Sequence, residues 1–281
     1  MTAAVEGAQT IARAAMLLRT LSSFGAAGSS LMEISALTGL AKATAHRMLA
    51  AMVEQRLVER PAGTRRYRLG PDIYAFGIGM HGTYDLQRLA RPSLERLASE
   101  AGVTVYLGVR SGFDMLCTDK VEGSAEKLPL LLEVNSRWPL GIGSFSLAML
   151  AFLPEREMQE IIAFNGRRVK EEDTLTYKLI DASIRKTQRN GYAKRTMRSW
   201  RGIAGAAAPV FDARHYPIAS LCAVSAAGRM NGPFLASIAQ KLKREAALIG
   251  QLYESGRLQQ QQQEENWRVA VRNSSTRPDP E

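Results

Sequence analysis

The stretch SLMEISALTGLAKATAHRMLAAMVEQRLVER, Ser30 to Arg60, places a capped short helix, a glycine break and an amphipathic helix in close order. Ser30 followed by Glu33 has the spacing of a capping box, in which each side chain satisfies the other residue's backbone N–H. Gly39 closes that helix, a position where Gly accepts positive φ without a Cβ penalty. From Ala41 to Gln55, the residues Ala45, Met48, Leu49, Met52 and Val53 fall on one side of a helical wheel. Ala43, Arg47, Ala50 and Glu54 fall on the other, with Thr44 on a shoulder. Upstream, Gln9–Phe24 repeats Ile11, Ala14, Ala15, Leu17, Leu18 and Leu21 at helical spacing and ends in the loop GAAGSS. Downstream, LVERPAGTRRYRLG predicts two short strands around Pro61–Thr64 with a basic tip. Helix, helix, tight turn, helix and hairpin within residues 8–70 spell a winged helix-turn-helix.

That arrangement implies a chemistry. Small residues beside Arg47 and Thr44 let a helix sink into a major groove, where Arg can fork two hydrogen bonds to a guanine edge. Lys42, in the first turn, is placed for a phosphate, and Ala43 keeps the approach open. Arg65, Arg66 and Arg68 make the hairpin a wing for the DNA backbone or the minor groove. His46, on the flank, reads as a boundary histidine rather than a base reader. Segment 1–70 carries nine basic and four acidic residues, a net +5, half the whole chain's surplus of +10.

The full chain has 281 residues with 46% hydrophobic and 23% charged, which suits two globular domains. A pI near 9.9 favours a polyanionic partner, nucleic acid before an acidic membrane. Cys117 and Cys222 form no CxxC, and the three histidines form no HExxH. A zinc site or disulfide scaffold is therefore not expected, and a reducing cytoplasm is. The longest uncharged run, Trp138–Pro154, is too short and too broken by Pro and Gly to cross a bilayer, and no signal peptide is indicated.

Residues 71–84 read as a linker helix. Asp85–Ala101 is helical, with Pro92 forcing a break or kink. Strands are predicted at Val103–Val109, Met115–Val121 and Leu128–Val134, and later at Ala204–Phe211 and Pro217–Val224. Helices fall at Ser144–Leu153, Glu155–Asn165, Leu175–Asn190 and Asn231–Gly256. Hairpins without a repeating βαβ series make residues 85–257 an α+β domain with an antiparallel sheet. The tail 258–281, with Gln259–Gln263, reads as a helix extension that dissolves into disorder.

Four phrases in order resemble the IclR family of bacterial transcription regulators: the Ser30–Arg60 stretch with YRLGP, then RLARPSLERLASEAGVTVYLGVRSG, PLGIGSFSLAMLAFLP, and IRKTQRNGYA with GIAGAAAPVFD. The resemblance runs from about Gln9 to Arg257. It implies a GAF-like domain holding a small effector, often a carboxylic acid, and dimers or tetramers on operator DNA.

In that family the turn before the conserved helix often reads His-Ala-x-x-x-Gly-Lys. Here Gly141–Leu147 lacks the His, the Gly and the Lys. A helix N-terminus with Ser144 and Ser146 hydroxyls still attracts an anion, and Gly141 and Gly143 admit close approach, with Phe145 beside them. The competing reading is a helix that packs Leu147, Leu150 and Phe152 into the core. Cys222 and Val224 stand where the resemblance implies serines, a less polar wall that disfavours glyoxylate-sized acids. Leu130, Leu132 and Trp138 align with its apolar lining and suit an aromatic or longer acyl ligand. Lys194–Arg201 departs most, with four basic and no acidic residues; Arg195 or Arg198 pairs with an effector carboxylate or belongs to a solvated loop.

The expected function is an operator-binding regulator of a catabolic operon, modulated by a small carboxylic acid, without catalytic residue, metal or cofactor. Alternatives are a winged-helix nucleic-acid-binding protein without an effector and an enzyme on the GAF-like domain. No GxSxG, P-loop or GxGxxG supports the enzyme.

Overall fold

The computed structural model describes residues 9–79, 85–124, 132–168, 178–196 and 202–274, in two compact units, Met1–His81 and Gly82–Glu281. In the first unit α1 (Gln9–Ser22), α2 (Leu31–Thr38) and α3 (Lys42–Glu54) close over buried Leu17, Leu21, Ile34, Leu49 and Met52. Each such side chain contributes about 1.5–3 kcal/mol when removed from water, so this small cluster carries much of the unit's stability. The capping box is formed: Glu33 N–H donates to the Ser30 hydroxyl, and the Glu33 carboxylate accepts from Ser30 N–H and the Ser29 hydroxyl. The Ser30 backbone bond first, then the two hydroxyls, holds the Glu33 carboxyl below its ordinary range.

The wing differs from its sequence reading by one strand. GAAGSS, expected as loop throughout, ends in β1 (Ser29–Ser30), which joins β2 (Val58–Glu59) and β3 (Arg66–Leu69) in the order β1-β3-β2. Ser29 lies opposite Tyr67 and Ser30 opposite Arg66, so the α2 cap and the wing share one ladder. The expected linker helix is seen as α4 (Pro71–Gly79), started by a proline that needs no N–H bond there; residues 80–84 lie outside the described residues.

In the second unit α5 (Asp85–Ala101) runs as one helix through Pro92, so of the break or kink expected there the break is absent. Strands β4 (Thr104–Ser111) and β5 (Asp114–Val121) form the first hairpin. Of the third strand expected at Leu128–Val134, residues 128–131 lie outside the described residues. Its described part has Val134 and Asn135 in a turn, Asn135 at φ 73°, and the next described strand is β6 (Arg137–Pro139). Helices α6 (Gly143–Leu150), α7 (Glu155–Asn165) and α8 (Ile180–Asn190) follow. Next comes a strand the sequence reading lacked, β7 (Ala193–Thr196), then β8 (Ile203–Phe211) and β9 (Pro217–Ala226). The sheet is antiparallel, in the order β6-β5-β4-β9-β8-β7.

Both faces of the sheet are covered. Val105, Leu107, Leu221 and Ala223 meet Leu94, Leu97, Ile238 and Leu242 of α5 and α9 (Gly232–Ser274). The opposite face presents Tyr106, Cys222 and Val224 to α6, α7 and α8. The helix extension expected of the tail is seen: α9 continues to Ser274, and Leu258–Ser274 contains no Gly or Pro and is rich in Gln, Glu and Arg, which tolerate helix well. Residues 275–281 lie outside the described residues.

Candidate nucleic-acid interface and ligand cavity

α3 buries Ala45, Leu49 and Met52 and leaves Lys42, Ala43, His46, Arg47, Ala50 and Glu54 exposed, with Thr44 half-buried. Its N-cap is Ala41, which has no side chain to cap the first N–H groups. Those groups and Lys42 form one electropositive end, the kind of terminus that binds a phosphate. His46 is exposed rather than tucked at a boundary.

The wing arginines separate by partner. Arg65 is exposed and forms no hydrogen bond or ion pair among the described residues. Arg66, also expected to face DNA, is exposed but hydrogen-bonded to its own unit. Its Nε donates to the Ala27 carbonyl at 3.0 Å, its Nη2 to the Gly28 carbonyl at 2.9 Å, and Nη2 lies 3.5 Å from the Glu33 carboxylate. The β1–β3 pairing brings those acceptors to it. Arg68 is likewise paired, with Glu59 across the β2–β3 ladder.

The candidate ligand site assembles from strand register. On one sheet face Tyr106, Cys222, Ala207 and Ala193 form a row of opposed residues; two residues along, Val224, Gly205 and Arg195 form the next. The N-terminus of α6 sits over these rows. Ser144 Oγ is 3.6 Å from Cys222 Sγ, and a Cβ on residue 205 would stand 2.3 Å from that same hydroxyl, so only Gly lets the helix approach this closely. Between helix and sheet lies a pocket of about 450 Å³ of empty space, open solvent at its mouth included. It is lined by Leu132, Trp138, Gly143, Ser144, Phe145, Arg195, Cys222 and Val224, eight of the residues named from sequence.

Leu130 and Arg198, also named from the sequence, lie outside the described residues. Ser146 is corrected: it is fully buried, outside the pocket lining, and its hydroxyl donates back to the Ile142 carbonyl, which spends the one donor a carboxylate would need. Sequence reading missed Tyr106, Ile142, Ile203, Ala204 and Gly205, which complete the lining. Strand alternation marks Tyr106 as sharing a face with Gly108, but only the β4–β9 register brings it beside Cys222.

The lining is overwhelmingly apolar, and its ionisable members other than Arg195 stay neutral. Burial pushes the Cys222 thiol up to about 12, partly offset by the Ser144 hydroxyl. Burial also raises the Tyr106 phenol. Arg195 therefore supplies the formal charge, the N–H groups of Gly143, Ser144 and Phe145 supply a helix-terminal dipole, and no cap side chain competes for them. Among the described residues no cluster of His, Cys, Asp and Glu could hold a metal ion, and no helix is long and apolar enough to cross a membrane.

Comparison with known proteins finds a family match in each unit. Residues 10–62 match the IclR helix-turn-helix domain, and residues 80–251 match the bacterial transcriptional regulator IclR C-terminal domain. The glycerol operon regulatory protein of Streptomyces coelicolor is 29% identical over 226 residues, which cover 79% of this chain and 86% of that protein. An IclR regulator from Alicyclobacillus acidocaldarius superposes with TM-score 0.70 at 22% identity, over 87% of this chain and 98% of that one. An IclR homologue from Microbacterium hydrocarbonoxydans, solved in complex with 4-hydroxybenzoate, gives TM-score 0.70 at 21% identity, over 88% of this chain and 100% of that one. The matched families and relatives are regulators of transcription, not enzymes. With family matches across both units, the chain belongs to the IclR family and is a DNA-binding transcriptional regulator.

Proposed function

We propose that the chain reads double-stranded operator DNA as a homodimer or tetramer, through the exposed face of α3 and the Arg65 tip, and that a small carboxylic acid in the cavity changes its operator affinity. The observation that carries the second half is convergence: residues chosen for effector binding from four separate stretches line one apolar pocket. Burying a carboxylate without donors costs several kcal/mol, so the acid end belongs at the α6 N-terminus, Ser144 and Arg195. The rest of the molecule belongs against Leu132, Trp138, Phe145 and Val224. Cys222 and Val224 leave too few donors on the sheet wall for a glyoxylate-sized acid, which favours an aromatic or medium-chain one. The homologue bound to 4-hydroxybenzoate and the relative named for a glycerol operon support an aromatic acid and a catabolic operon respectively.

The free slot is tight. Tyr106, Phe145 and Cys222, all nearly fully buried, close in on it from the sheet and from α6. Binding therefore moves a wall. One winged helix reads a short half-site, and a two-fold operator calls for a two-fold protein.

The experiment is a thermal-shift screen of the full chain with benzoate, 4-hydroxybenzoate, hexanoate and glyoxylate, followed by calorimetry. An acid at a hundred times its Kd adds about 2.7 kcal/mol of stability. Gly205→Ala, whose Cβ would displace Ser144, should weaken binding of the best acid at least about tenfold, or roughly 1.4 kcal/mol. A screen in which no acid shifts the melt, or a Gly205→Ala protein with undiminished affinity, places the effector elsewhere. Light scattering that finds a monomer holding its operator tightly contradicts the oligomer.

A further inference from the structure

We propose that the effector is bipolar, an acid whose far end carries a hydroxyl, and that Ser220 receives that hydroxyl once the Phe145 ring gives way. The inference rests on the cavity being the effector site and adds a second polar end to it.

Ser220 on β9 is fully buried, and its hydroxyl has no hydrogen-bond partner. Native structures keep few such groups, and each one needs a reason. It shares a sheet face with Cys222 and Val224, at the alternate positions of one strand. Across the ladders it stands opposite Gly108 of β4 and Pro209 of β8, neither of which offers a side-chain donor or acceptor.

Phe145 connects this hydroxyl to the cavity. Its ring lines the slot, and its Cζ occupies the space that a side chain on residue 108 would fill, 2.4 Å from where that Cβ would lie. Directly opposed residues of an antiparallel pair have Cβ atoms about 4.5–5.5 Å apart, which puts Ser220 beside the tip of the ring. The other side chain crowding that position is the Met115 thioether, which adapts readily. Phe145 is thus the wall between the slot and an unused hydroxyl, and a wall has to move for a ring to enter.

The spacing accommodates such a ligand. Arg195, Gly205 and Val224 share a row, and Ser220 is four residues along β9 from Val224, roughly 13 Å of strand. Ser144, the other acid-end donor, lies against Cys222, two residues or roughly 7 Å from Ser220. An acid and a hydroxyl at opposite ends of an aromatic ring fit within that range.

The test is calorimetry on the full chain with benzoate and 4-hydroxybenzoate, which differ by the hydroxyl alone, for the wild type and Ser220→Ala. The wild type is expected to prefer 4-hydroxybenzoate about tenfold or more, as one net hydrogen bond provides. Ser220→Ala should erase that preference by weakening 4-hydroxybenzoate and not benzoate. The free variant should melt no lower than the wild type, because the lost hydroxyl had no partner. Equal affinity of the wild type for the two acids, or a preference that survives Ser220→Ala, overturns the role of Ser220 while leaving the cavity as the effector site. Absence of binding by both acids overturns the two together.

Discussion

Arg47 and Arg66 carry the same charge into the same small unit and have different surroundings. Arg47 is exposed on α3 between Ala43 and Ala50, while Arg66 spends its donors on the Ala27 and Gly28 carbonyls. Arg47→Ala should relax base preference at one operator position, at a cost of about 1–3 kcal/mol there; competition binding against single-base operator variants checks it. Arg65→Ala should lower the slope of log affinity against log salt by about one unit. Arg66→Ala should instead leave that slope unchanged and lower the melting temperature, through the lost link between the wing and the α1–α2 loop. A salt slope reduced equally by both substitutions contradicts this division of labour. Charge pattern alone showed a basic wing; which arginine is free depends on β1, and β1 is two serines in a stretch whose composition reads as loop. Ser146 is the same lesson in the cavity: the sequence displays a hydroxyl beside a helix terminus but not the Ile142 carbonyl that takes it.

At the scale of elements, helices announced themselves and edge strands did not. α3 was legible because its 13 residues repeat apolar and polar choices with one helical period, and the α2 start because Ser30 and Glu33 carry a specific bond pair. Ser30→Ala should cost the isolated first unit's fold about 1 kcal/mol in denaturant titration. β6 and β7 are edge strands of three and four residues, and they form only because β5 and β8 offer free ladders. The packing of α5 on α9 adds a pH-dependent element. Glu245 has its side chain 3% exposed and accepts from Arg96 and Arg244. Burial raises its carboxyl pKa, but bonds from Arg96, Ser93 and Arg244 outweigh burial and hold it below the ordinary value. A carboxyl depressed in the folded state contributes stability above its unfolded pKa, about 4.3, and that contribution fades as pH falls through the folded value. Arg96→Ala should destabilise by about 1–2 kcal/mol at neutral pH, less than a fully buried pair because Arg96 is half in water, and the difference from wild type should shrink below pH 4. A deficit independent of pH between 7 and 3 contradicts the assignment.

For the whole molecule, the two units have separate cores, and the chemistry of each is complete within it: a basic groove-sized face in one, an apolar slot with a cationic end in the other. Under the proposed function, occupancy of the slot has to be felt at the DNA. Linkage makes that requirement quantitative and symmetric: if the acid changes operator affinity by some factor, operator changes acid affinity by the same factor, with a coupling of about 1–3 kcal/mol. The net charge of +10 makes operator binding salt-dependent, so both affinities have to be taken at one fixed ionic strength. The deciding measurement is a thermodynamic square on the full chain: operator Kd with and without saturating 4-hydroxybenzoate, and 4-hydroxybenzoate Kd with and without saturating operator. The proposed account predicts two equal shifts of roughly five- to a hundredfold, both abolished by Gly205→Ala, which leaves the acid-free operator Kd as it was. Tight acid binding that leaves operator affinity unchanged would contradict it.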